Sequence, residues 1–127
     1  MKKVISILVL VLSFAINTNA QDIMMKKEVV KTVSLEQTKG EFTQKQITLS
    51  EGTYIFEIAN NNVGKDVGFV LQPKGKSGQE NHIKNAYVTK VVKNNTKENS
   101  KKVTLAKGEY TYFCPLNNTP EYTLIVE

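Results

Sequence analysis

The chain carries one cysteine and one histidine, so its means for thiol and imidazole chemistry are few. Cys114 stands in KGEYTYFCPLNNTPEYTLIV, residues 107–126. A thiolate is a nucleophile and a soft metal ligand; a thiol used for neither is a small, buried apolar side chain. With no second cysteine an internal disulfide is excluded, which leaves burial, metal binding, reactivity or a bond to another chain. His82 supplies the only imidazole. A Cys114–His82 pair would act as nucleophile and base only with the ring in hydrogen-bond reach of the thiol. Nothing in the sequence brings them together, no glycine-rich phosphate loop is present, and no paired acids stand out. The chain is therefore expected not to be an enzyme. Met24 and Met25 are thioether ligands by type, but near a terminus they read first as ordinary flexible residues.

Strands must position these groups. Tyr110, Tyr112 and Cys114 alternate with Thr111 and Phe113, a period of two that suits a pleated strand. Pro115 and Pro120 bound a short polar loop, and Tyr122, Leu124 and Val126 begin a second alternation. Phe42, Ile47 and Leu49 lead to a turn at Ser50-Glu51-Gly52. Tyr54, Phe56 and Ile58 then face one side, with Ile55 on the other. The run ends at Asn60-Asn61-Asn62, where asparagine favours turns and left-handed backbone. A strand over 67–71 holds Gly68, which reads as a bulge or a close approach of another backbone. Ser77-Gly78-Gln79-Glu80 has the form of a capping box, so one short helix is expected near 78–87, with His82 on or beside it. Residues 87–92 return to strand, 94–102 read as a charged surface loop, and Val103 and Leu105 give a further strand. Seven or eight short strands between turn signals predict an all-β sandwich or small barrel.

Length and charge bound the rest. The 127 residues allow one domain and a modest core. Lys2 and Lys3, an apolar run from Val4 to Ile16, and Thr18-Asn19-Ala20 form a signal-peptide pattern with cleavage expected after Ala20. The expected organisation is a signal peptide over 1–20, a flexible segment over 21–32 and one domain over 33–127. The mature protein is then periplasmic or secreted, with no stable membrane insertion. Loss of Lys2 and Lys3 lowers the formal charge from +5 to +3. Every basic residue is lysine, spread along the chain, which argues against nucleic-acid readout through arginine forks.

Two blocks resemble the cupredoxins, the blue-copper family. Residues 42–61, FTQKQITLSEGTYIFEIANN, resemble the opening strands. Residues 107–126 resemble the ending, where a tyrosine-rich strand delivers the copper cysteine in the pattern C-P-x-H. The resemblance implies a Greek-key β-sandwich. It also implies a site of two imidazoles, one thiolate and a weak axial methionine. On that pattern Cys114 is the thiolate. The second imidazole's place, three residues on, is held by Asn117. The methionine's place falls at Pro120, between Thr119 and Glu121. The first imidazole belongs in the loop before Val67, where Asp66 is the nearest residue with a ligand atom. Of the usual ligands only Cys114 matches.

Two functions are expected from this departure. The first is a cupredoxin-like accessory or binding module with no cofactor, in which Cys114 is buried, the Asn117 amide bridges loop backbones, and the partner is an envelope protein. The alternative is copper binding or electron transfer through a non-standard site of Cys114 with some of Asp66, Asn117, His82, Met24 and Met25.

Overall fold

A computed structural model describes residues 29–127. The expected signal peptide (1–20), Met24 and Met25 lie outside the described residues. The strands are β1 (Val30–Thr38), β2 (Glu41–Phe42), β3 (Gln46–Leu49), β4 (Gly52–Asn60), β5 (Val70–Pro73), β6 (Lys97–Leu105), β7 (Gly108–Phe113) and β8 (Tyr122–Val126). They form two four-stranded sheets, ordered β3-β8-β7-β5 and β2-β1-β4-β6. Every connection from β2 through to β7 changes sheet, so the two layers are laced together along the chain. β1 runs parallel to β4, and β3 parallel to β8; the other neighbours are antiparallel. The architecture is a Greek-key β-sandwich with almost no helix.

The alternation read from the sequence sets the faces. Tyr54, Phe56 and Ile58 of β4 point into the core, as do Tyr112, Leu124 and Val126 of the facing sheet. Aromatic rings cross the sandwich. Phe42 meets Tyr112 edge-on at 5.2 Å between centroids, and Phe56 lies 5.1 Å from Phe69. Such contacts add about 0.5–1.5 kcal/mol each beyond the burial of their area.

Five segments depart from expectation. Residues 87–92, expected as a strand, make only isolated bridges, Val88 to Ser100 and Val92 to Val67. The first strand begins at Val30, inside the segment expected to be flexible, because its pairing with β4 starts at Val30 opposite Thr53. The strand expected over 67–71 begins only at Val70; Val67 makes an isolated bridge to Val92, and Gly68 lies between the two. The helical stretch is a pair of 3-10 turns, Gln79–Asn81 and Lys84–Ala86. Extended backbone at His82 and Ile83 separates them, and Ile83 N–H reaches the Leu71 carbonyl of the sheet edge at 2.8 Å. That tie interrupts any longer helix, and Ser77 makes no cap with its side chain. Residues 97–102, read as a surface loop, belong to β6. Their three lysines are exposed on an outermost strand, which tolerates lysine well. The one buried member, Ser100, gives its hydroxyl oxygen to Phe56 N–H at 2.9 Å, where a bulge breaks the β4–β6 ladder.

Candidate functional site: the loop end around Cys114

The last strands deliver Cys114 to one end of the sandwich. It follows β7 directly and its side chain is fully buried, continuing the inward phase of Tyr112. Its loop is closed by reciprocal bonds: Cys114 N–H donates to the Thr119 hydroxyl at 2.8 Å, and Thr119 N–H to the Cys114 carbonyl at 3.2 Å. Asn118 completes the turn in the left-handed region, at φ 52°. The thiol sulfur accepts Gly68 N–H at 3.3 Å.

Asn117 is the centre of this end. It is 4 % exposed, and its amide is used on both sides. Its Oδ1 accepts Gly40 N–H at 2.9 Å. Its Nδ2 donates to the Thr38 carbonyl at 2.8 Å and to Gln37 Oε1 at 3.1 Å. Gln37, also fully buried, passes the chain on by donating to the Gly68 carbonyl at 2.8 Å. Gly68 in turn donates to Cys114. The resulting circuit joins the end of β1, the loop before β5 and the loop after β7. Asn60 does similar work beside it, with Nδ2 donating to the carbonyls of Lys65 and Val92 and Oδ1 accepting Val63 N–H.

The other sequence-derived candidates do not join the circuit. Asp66 is exposed on the loop after β4. His82 lies on the flank of the sandwich, where its Nδ1 is 2.7 Å from the Tyr87 hydroxyl and its ring stands edge-on to Phe113, 6.2 Å away. No hydrogen bond links it to Cys114, so the nucleophile–base pairing has no geometry. Among the described residues no three His, Cys, Asp or Glu side chains gather where a metal ion would need them. With one histidine in the sequence, the chain cannot supply two imidazoles. The residues present therefore do not fit a type 1 copper centre. Sequence reasoning missed Gln37. Its signal was there: Val33, Leu35 and Gln37 share one phase of β1, which places a polar side chain inward.

One titration shift touches this end. Burial, with a smaller contribution from Tyr122, pushes the Tyr112 hydroxyl up to about 12. That hydroxyl donates to the Gln44 carbonyl between β2 and β3.

Strand order, the Greek-key sandwich and the cysteine at the mouth of the penultimate strand define a cupredoxin-like fold. The solved structures it resembles are cupredoxins. Auracyanin A, a "blue" copper protein from the green thermophilic photosynthetic bacterium Chloroflexus aurantiacus, matches with a TM-score of 0.64 and 18% identity, over 78% of this chain and 100% of that one. Auracyanin from the photosynthetic bacterium Roseiflexus castenholzii matches at 0.60 and 16%, over 76% and 96%. An azurin from Methylomonas sp. strain J matches at 0.53 and 19%, over 76% and 97%. No family model and no curated protein matches the sequence. At these identities the likeness establishes the fold, and the site must be argued from its own residues.

Proposed function

We propose that this chain is a secreted or periplasmic binding module that uses a cupredoxin-like scaffold without a type 1 copper site, and that it has no catalytic role. One observation carries the reading. Asn117 stands at the position of the C-P-x-H imidazole, is buried, and spends its amide on loop backbone and Gln37: Oδ1 accepts Gly40 N–H, and Nδ2 donates to the Thr38 carbonyl and Gln37 Oε1. The amide ties together loops that a metal would otherwise join, and an amide can both donate and accept, which an imidazole bound to a metal cannot do in the same place. Export after cleavage at Ala20 belongs to the same proposal. No helix among the described residues is long and apolar enough to cross a membrane.

A second reading keeps copper, held at Cys114 by non-standard ligands such as Asp66, Asn117 or His82. The Gly68 N–H bond to Cys114 Sγ favours it, because hydrogen bonding at the sulfur is one means by which proteins tune a metal-bound thiolate.

Copper titration of the protein lacking residues 1–20, beside Cys114→Ser, separates the two readings. Cupric and then cuprous copper are added, and bound metal and the visible thiolate-to-copper absorption are followed. The expected result is no stoichiometric binding by either protein. One tightly bound copper, lost in Cys114→Ser, would overturn the copper-free reading.

A further inference from the structure

Lysines occur along the whole chain, but one segment holds most of the excess charge. Residues 84–107 hold seven lysines (84, 90, 93, 97, 101, 102 and 107) and a single acid, Glu98, a formal charge of +6. The other described residues, 29–83 and 108–127, hold six lysines and nine acids, a formal charge of −3. The basic stretch is also one place in space. β6 carries Lys97, Lys101 and Lys102, and the segment before it folds back alongside: Val88 bridges Ser100, and Thr89 N–H reaches the Asn99 carbonyl at 3.0 Å. All seven lysines are exposed.

We propose that this basic flank, β6 with the segment before it, is the docking surface for an acidic face of a protein partner. It names the partner for the binding-module reading and rests on that reading. The nine residues of β6 extend about 30 Å, enough to present a strip of charge rather than a point. Between the strand and the 3-10 turns lies a cleft of about 540 Å³, whose wall includes Lys84 and Lys102 with one acid, Glu80, beside His82 and Thr104. A lipid surface would call for apolar side chains that insert, and of the large hydrophobic residues here only Val91 is strongly exposed. Complementary charge across such a strip speeds encounter and fixes orientation, and its effect falls as salt screens it.

Poly-glutamate serves as the probe for an acidic protein surface, and phosphatidylglycerol vesicles as the lipid arm. The wild-type protein is compared with two triple variants of equal net charge. One is Lys90→Glu/Lys97→Glu/Lys101→Glu on the flank; the other is Lys39→Glu/Lys65→Glu/Lys76→Glu elsewhere. Unfolding midpoints establish that each is folded before binding is read. At low salt the flank variant is expected to lose at least about tenfold in affinity for poly-glutamate, while the other loses less than about threefold. Equal losses would overturn the proposal, since net charge alone would then explain binding. Binding to vesicles without binding to poly-glutamate, or no binding to either, would overturn it as well. The copper titration reads Cys114 alone, so its outcome and this one can fail separately.

Discussion

The Cys114 end and the His82 flank each hold one of the chain's two reactive residue types, yet they are built on opposite terms. At the Cys114 end the polar groups are buried and consumed. Asn117 and Gln37 stand in the core, and each of their amides is matched by partners from other loops. At the flank the polar groups are half-buried or exposed. His82 has a short contact to Tyr87, five residues away, and shares its cleft with Glu80, Lys84 and Lys102. Burial converts hydrogen bonds into rigidity, because a lost partner leaves an unsatisfied group with no water to replace it. Exposure leaves charge free to act on something outside. The first end therefore holds the fold together, and the second is the side on which we propose a partner docks.

The contrast breaks most sharply at Asn117. Asn117→Asp keeps the shape but turns Nδ2 from a donor into an acceptor facing two more acceptors, the Thr38 carbonyl and Gln37 Oε1. It also buries a charge that only Gly40 N–H compensates. Urea unfolding at neutral pH is expected to show a loss of about 3–5 kcal/mol, partly recovered on acidification as the carboxyl takes up a proton. Asn117→Ala removes the charge problem but leaves the same backbone groups unmatched, at about 2–3 kcal/mol. If Asn117→Asp were no worse than Asn117→Ala, the amide's two-sided use would not be what matters there.

How much of this was legible before folding depends on which physical signal was local. The core strands were, because alternation of Tyr54, Phe56 and Ile58, or of Tyr112 and Cys114, is written in adjacent residues. So was the closing hairpin with its cysteine, and the missing ligands around it. β6 was not: KENSKK reads as solvated loop, and only the partner strand β4 and the bulge that Ser100 fills make it a strand. The 3-10 turns were misjudged because the capping pattern at Ser77 and Glu80 is local, while the Ile83–Leu71 bond that interrupts the helix is not. The Asn117 circuit combines both cases. The residue was singled out by its place after Cys114, but Gln37 stands eighty positions away and only the fold brings it there.

A middle case sharpens the comparison, since Tyr112 is buried like Asn117 but titratable. Its folded value of about 12 lies above the ordinary tyrosine value of 10.0. The unfolded chain then releases this proton first. Stability is fully present below pH 10 and is lost as pH rises from there through about 12. Tyr112→Phe leaves the Gln44 carbonyl without its donor and costs about 1–2 kcal/mol near neutrality. It should also flatten the decline in unfolding midpoint measured between pH 10 and 12. A variant that kept the wild-type decline would assign the alkaline loss to the other tyrosines or to lysine deprotonation.

At the flank the same chemical change should do little. Tyr87→Phe removes the hydroxyl that meets His82 Nδ1 at 2.7 Å, while leaving the edge-on ring contact of 5.9 Å in place. Both residues are only half-buried, so water takes over the vacated site on the imidazole. The expected loss is below about 1 kcal/mol by urea unfolding, the ordinary net value of a hydrogen bond that solvent can replace. Set beside Asn117→Ala, this measures the difference between the two regions directly, because each variant removes polar contacts and little else. A loss at Tyr87 as large as that at Asn117 would mean that the His82 segment, with the Ile83–Leu71 tie beside it, is part of the structural core rather than a surface laid over it.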